Sequence, residues 1–283
     1  MVSIICRKNT ENFAYRSLYC KVYLLYLLCV SCLYFKDIFL RYLIQLSYSG
    51  GAYCGWQIQP SVSTVQGVLE EALGKLLGHP VAVLGSGRTD AGVHAQRQFA
   101  HFDSVLSLSP DDLTRRLNSI LPKDISVATV KQVKPSFHAR FSAVSRSYEY
   151  RIISYKDPFL TGLCYYYRGL LDVCAMNSVA RSLLRITDFK SFSKVKTDVS
   201  SYICRVSYAK WVSVGNVLLF RISANRFLRG MVRAVAGCLL RVGQGRMSEQ
   251  QFLDIVASRN RRKVPFSLPA HGLFLTDVSY DFT

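Results

Sequence analysis

A chain of 283 residues, half of them hydrophobic, can bury a substantial core as one large or two smaller domains, and is too apolar to be disordered. Its 36 Lys+Arg against 18 Asp+Glu leave a formal charge of +18, more than solubility requires, which favours nucleic acid as partner over an anionic membrane surface. Nine cysteines are too thinly spread for a disulfide scaffold, which points to a cytoplasmic protein with reduced thiols at Cys54, Cys164, Cys174, Cys204 and Cys238.

Residues 1–37 read as foreign to the rest. Val22 to Phe35 is an apolar run between Lys21 and Lys36, too short for an ordinary transmembrane helix and without a small-residue cleavage site. Cys29-x-x-Cys32 has no second pair or histidine at ligand spacing, which argues against a zinc or redox role. The expectation is an upstream extension outside the fold, because no second Met occurs before Met176 and a non-AUG start near Ile38 to Leu40 would pass unseen. An intact mass of the natively expressed protein that includes residues 1–37 would overturn it.

From Arg41 the pattern becomes regular. Leu43 to Tyr48 reads as a strand closed by Gly50-Gly51. Thr64 caps a predicted helix whose Val65, Val68, Leu69, Ala72, Leu73, Leu76 and Leu77 follow the 3.6 period up to Gly78. A short strand near Val81 to Leu84 runs into a polar, glycine-rich loop. The next strand, Gln98 to Asp103, alternates Phe99 and His101 with Ala100 and Phe102. Ser109-Pro110-Asp111-Asp112 opens a helix that ends near Leu121-Pro122, and Ile125 to Val133 is a strand. The order is β-α-β-β-α-β.

The same order recurs after Pro135. Ser147 to Ile153 is a strand, and Asp172 opens a helix carrying Val173, Met176, Val179, Ala180 and Leu183. Ile203 to Val214 and Val217 to Ser223 form a hairpin around Gly215-Asn216. A long helix from about Arg226 to Arg241 precedes a capping-box helix at Ser248 with Gln251 at its third position, and Gly272 to Tyr280 is the last strand. The expected fold is α+β: two ferredoxin-like halves, 38–134 and 135–283, with mainly antiparallel sheets. No repeated wording links the halves.

The richest chemistry lies in the loop Leu84-Gly85-Ser86-Gly87-Arg88-Thr89-Asp90-Ala91-Gly92-Val93-His94-Ala95. Asp90 suits a general base, a nucleophile or a metal ligand, and equally an aspartate that caps its own turn. Arg88 fits either a phosphate contact or a solvated surface group, and His94 reads as ordinary packing. No third glycine completes a dinucleotide fingerprint, no Gly-Lys-Ser/Thr follows for a P-loop, and acids are too sparse for a two-metal site. Arg226, Arg229 and Arg233 fall on one face of the predicted long helix, where snorkelling accounts for the first two. Tyr148 and Tyr150 share a strand face with Arg146 and Ile152, a surface that suits base stacking or a half-buried sheet. Arg259 to Lys263 is a solvated loop or a phosphate contact.

Gly87-Arg88-Thr89-Asp90-Ala91-Gly92-Val93-His94-Ala95 resembles the active-site signature of the tRNA pseudouridine synthase A family. Tyr48-Ser49-Gly50-Gly51-Ala52-Tyr53-Cys54-Gly55-Trp56-Gln57 resembles its opening motif, and Phe137-His138-Ala139-Arg140-Phe141-Ser142-Ala143 with Tyr148-Glu149-Tyr150 its middle one. Asn225-Arg226-Phe227-Leu228-Arg229-Gly230-Met231-Val232-Arg233 and Pro269-Ala270-His271-Gly272-Leu273-Phe274-Leu275 resemble the last two, so the resemblance runs in order over residues 41–283. It implies isomerisation of uridine to pseudouridine in the tRNA anticodon stem–loop at tRNA positions 38, 39 and 40. It also implies a central RNA-binding cleft between the halves, no cofactor, no metal, and a homodimer across which one tRNA lies, without stable membrane association.

By the same resemblance, Asp90 would be the catalytic nucleophile, Tyr148 would stack on the flipped uracil and assist proton removal, and Arg233 would pair with Asp90. Leu273 would pack on the base, and Arg88 would contact the RNA and hold the target out of its stack. Ser49 departs from the aspartate usual in the opening motif, which bears on the turn rather than the reaction. Two alternatives stand beside this reading: a tRNA-binding folding chaperone without catalysis, and a membrane-associated protein anchored by Val22 to Phe35.

Overall fold

The computed structural model describes residues 39–195 and 200–282. The predicted extension, its apolar run and Cys29-x-x-Cys32 lie outside the described residues. The first half contains β1 (Leu40–Tyr48), α1 (Val65–Leu77), β2 (Leu84–Gly85), β3 (His94–Ser104), α2 (Pro110–Ile120) and β4 (Ile125–Val133). The second contains β5 (Ala143–Ile153), β6 (Tyr165–Tyr166), α3 (Val173–Ser182), β7 (Val206–Val214), β8 (Val217–Ala224), α4 (Met231–Gly243), α5 (Glu249–Ala257) and β9 (Leu273–Tyr280).

The helix starts follow their local chemistry. The Thr64 side chain accepts from the Gly67 amide, Ser109 from Asp112 and Asp172 from Ala175, while Ser248 and Gln251 form a reciprocal capping box. One start departs from the sequence reading. The helix expected from Arg226 begins only at Met231, because Gly230 at φ 72 takes a left-handed conformation that breaks the turn ahead of it. Arg226 and Arg229 therefore belong to a loop, not to the helix face that was to let them snorkel.

The strands form a single sheet in the order β4-β1-β3-β9-β5-β8-β7, with β2 on β3 and β6 on β5. All pairings are antiparallel except β3 with β9 and β5 with β6. With the short β6 left aside, each half sets its fourth, first and third strands side by side, β4-β1-β3 and β9-β5-β8, which is the ferredoxin-like order. The halves are fused through β3 and β9, which pair only at His94↔Phe274 and Ala95↔Leu275. Beyond that point the same edge of β3 is taken by β2, at Leu84↔His101 and Gly85↔Ala100. The chain between β2 and β3 must therefore bulge out at the seam, and that chain is the glycine loop.

Each half has its own core. One gathers around Tyr42, Leu46, Leu69, Phe102 and Leu117, the other around Tyr150, Met176, Phe192, Trp211, Phe220 and Leu239. Tyr148 packs against both, which marks its strand as the junction. The alternation expected in β3 gives way to burial on both faces: Phe99, Ala100, His101 and Phe102 are all buried. The middle-motif turn supplies the extra cover, since the His101 ring meets His138 edge-on at 4.8 Å and accepts from the Ala139 amide at 3.2 Å.

Candidate active site

The glycine loop is pinned at both ends while its centre stays open. The Ser86 amide donates to the Phe99 carbonyl at 2.7 Å, its hydroxyl donates to the Gln98 side chain, and the Gln98 amide returns to Gly87 at 3.1 Å. Further on, the Tyr48 hydroxyl meets the Thr89 hydroxyl at 2.8 Å, and the Trp56 amide donates to the Thr89 carbonyl at 3.2 Å. This contact needs Gly55: at φ 88, a Cβ there would lie 2.5 Å from the Thr89 carbonyl oxygen.

The ties leave the Asp90 carboxylate aimed away from its own loop. Arg233 Nη1 donates to Oδ2 at 3.2 Å, and Arg229 Nε stands 3.7 Å from Oδ1. A turn-capping aspartate would spend its oxygens on nearby amides; this one faces two guanidiniums. Arg233 is itself fixed, because its Nε donates to the Leu268 carbonyl at 2.7 Å while the Leu268 amide donates back to the Arg233 carbonyl at 3.1 Å. Its side chain is 23% exposed and that of Asp90 22%, against 55% for Arg229, so the Arg233 pair is the better shielded of the two.

Tyr148 lies on β5, half-buried, with Phe227 packed edge-on at 5.2 Å. Burial, and then the negative charge of Asp90, push its hydroxyl up to about 12, with Arg146 opposing. The residue is a phenol throughout the neutral range. Leu273 opens β9 opposite Tyr150 and is buried in the core that also holds Val93. Arg88 is exposed, two residues from Asp90, and makes no side-chain hydrogen bond or ion pair among the described residues.

Three residues of the site had no role in the sequence reading. Arg229 joins Asp90 once its loop is released from the helix, Phe227 supports Tyr148, and Thr89 anchors the loop. His94 is structural, as expected, although it opens β3 rather than lying in the loop. Its Nδ1 accepts from the Gly50 amide at 3.1 Å, its Nε2 meets the Gly162 carbonyl at 3.0 Å, and its ring stacks on Phe274. Ser49 keeps the turn, with its hydroxyl 3.4 Å from His94 Nδ1. In the Arg259 to Lys263 run, Arg259 pairs with Asp188 and Arg261 donates to Ser267.

The histidines give a pH prediction. Burial is the leading cause that lowers His94, His101 and His138, with His101 brought down to about 4. An unfolded histidine titrates near 6.5, so below that value the unfolded chain binds more protons than the native one. Their contribution is complete above about pH 6.5 and is lost as pH falls toward 4, on the order of 3 kcal/mol for His101 alone. The melting temperature should fall between about pH 6.5 and 5, before carboxylates protonate. A flat profile over that interval would show that the rings are solvated.

A family model described as tRNA pseudouridine synthase matches residues 45–142 and 180–281. A Parabacteroides distasonis protein named tRNA pseudouridine synthase A is 46% identical over 241 residues, 85% of this chain and 96% of its own. Relatives of the same name include one from Porphyromonas gingivalis, 44% identical over 244 residues, which covers 85% of this chain and 97% of its own. One from Chlorobaculum tepidum is 40% identical over 238 residues, 84% of this chain and 96% of its own. Matched by the family model over more than half its length and by these relatives over more still, the chain belongs to the tRNA pseudouridine synthase family.

Proposed function

We propose that this chain isomerises uridine to pseudouridine in tRNA, at positions 38, 39 and 40 of the anticodon stem–loop, with Asp90 as nucleophile. The observation that carries this is the Asp90 carboxylate, held by Arg233 at 3.2 Å and near enough to Tyr148 for its charge to act on the Tyr148 hydroxyl. The reaction breaks the C1′–N1 bond, turns the uracil and makes a C1′–C5 bond, while C5 loses a proton and N1 gains one. It is redox-neutral and needs a nucleophile, proton transfer and a closed pocket, but no cofactor. A carboxylate can serve by attack on the base or on the sugar.

Unstacking the target costs a few kcal/mol. A base laid on Tyr148 recovers about 1–3 kcal/mol, Leu273 packs against it, and the unengaged Arg88 holds the vacated stack or a phosphate. Because the Tyr148 hydroxyl stays protonated at neutral pH, stacking is its main part and proton abstraction a lesser one. The charge of +18 supplies the electrostatic attraction for RNA. The active form is a cytoplasmic homodimer spanned by one tRNA. No helix among the described residues is long and apolar enough to cross a membrane.

The test is an unmodified tRNA transcript with uridine at all three positions, incubated with the protein and mapped by carbodiimide-dependent primer extension. Pseudouridine at these positions is expected, together with a dimer mass by sedimentation. Binding without any pseudouridine would favour the chaperone reading, and pseudouridine outside the anticodon arm would overturn the assigned target.

A further inference from the structure

Arg146 lies on β5 two residues before Tyr148 and therefore on the same strand face. The half-buried Arg41, Arg151 and Arg233 each face a carboxylate, whereas Arg146, half-buried as well, pairs with none among the described residues. Its partners are four backbone carbonyls. Nη1 donates to Ala143 at 3.0 Å and to Asn225 at 2.9 Å, while Nη2 donates to Ser86 at 3.0 Å and to Arg140 at 2.5 Å. Burying a cation this way is costly unless every donor is used, and here all four terminal N–H groups are. None of them remains for an RNA phosphate.

The carbonyls come from the segments that build the site. Ser86 belongs to the glycine loop four residues ahead of Asp90. Asn225 begins the loop that carries Phe227 against Tyr148 and Arg229 against Asp90, and that loop leads directly into Arg233. Arg140 belongs to the turn before β5, and Ala143 opens the strand that carries Tyr148. A lysine could not reproduce the fork, because its donors radiate from one nitrogen.

We propose that Arg146 is a positioning residue for the isomerisation: its guanidinium clamps the Ser86 and Asn225 carbonyls together, and so sets the distance between the Asp90 loop and the loop that bears Arg229 and leads into Arg233 on α4. This rests on the reading of Asp90 as nucleophile. A displacement of about 1 Å at such a site is enough for a loss of roughly 100-fold in rate.

The experiment compares wild type, Arg146→Lys and Arg146→Ala at a temperature where circular dichroism shows each folded. Single-turnover rates and tRNA dissociation constants are measured, with and without added guanidinium. Both variants should lose about 100-fold in rate with affinity within about threefold of wild type, Arg146→Lys should be no better than Arg146→Ala, and guanidinium should restore part of the Arg146→Ala rate. Several results would overturn the proposal. They are rates close to wild type, weakened affinity with an unchanged rate at saturation (the mark of a phosphate contact), and a rate loss that follows the folded fraction without rescue. Unfolding of both variants would likewise show a role in the fold alone. An inactive wild type would instead remove the functional reading itself, whereas an active wild type beside unimpaired variants would remove only the part given to Arg146.

Discussion

Asp90→Asn should abolish pseudouridine formation, by on the order of 10⁴-fold or more, while tRNA binding stays within about threefold of wild type. The substitution keeps the shape of the side chain, and none of the ties that pin the loop uses it. Tyr48 with Thr89, Trp56 with Thr89 and Ser86 with Gln98 all survive. The amide oxygen of an asparagine can still accept from Arg233, so the loop has no reason to move. The negative charge is lost, and with it the oxygen proposed to attack the target nucleotide. With Arg229 and Arg233 no longer balanced, attraction for the RNA backbone should rise slightly and become more sensitive to salt. Single-turnover assays with enzyme in excess, beside filter binding at two salt concentrations, check both halves of the expectation. A rate within about tenfold of wild type would remove Asp90 from the role of nucleophile.

The parts of the molecule that were legible in the sequence are those written in short-range chemistry. Thr64, Ser109, Asp172 and Ser248 announce their helices because a cap needs only the next three residues, and Gly215-Asn216 marks its hairpin for the same reason. The start of α4 was not legible. Phe227, Leu228, Met231 and Val232 keep an apolar rhythm through Gly230, and periodicity carries no sign of the left-handed φ of 72 at that residue. The fusion of the two halves was equally hidden, since β3 and β9 meet over two residue pairs with no local pattern.

The site divides along the same line. Spacing left Asp90 between a turn cap and a catalyst, because both readings place an aspartate among glycines. What separates them is where the carboxylate points, and that depends on Arg233, 143 residues away. Resemblance to a family supplied that partner, but neither spacing nor resemblance indicated Arg146, whose four carbonyls come from separate stretches of backbone.

The asymmetry between the two arginines on Asp90 leads to the second large effect. Arg233→Met should lower the rate by about 10²–10³-fold, and Arg229→Met by clearly less. Arg233 is the closer at 3.2 Å against 3.7 Å, the less exposed, and the one whose Nε is already occupied by the Leu268 carbonyl at 2.7 Å. That bond spends the rotational freedom of the guanidinium before substrate arrives, so the ion pair orients the carboxylate at little further entropic cost. Arg229, more exposed and on a loop, contributes a weaker and more screened attraction. Arg233→Lys tests the geometry apart from the charge. An ammonium cannot hold Leu268 and Asp90 together in the same fork, so this variant should fall nearer to the methionine form than to wild type. Single-turnover rates of the three variants at matched saturation, with the melting temperature of each as control, decide the order. If Arg229→Met proves the more damaging, the carboxylate is oriented from the loop and not from α4.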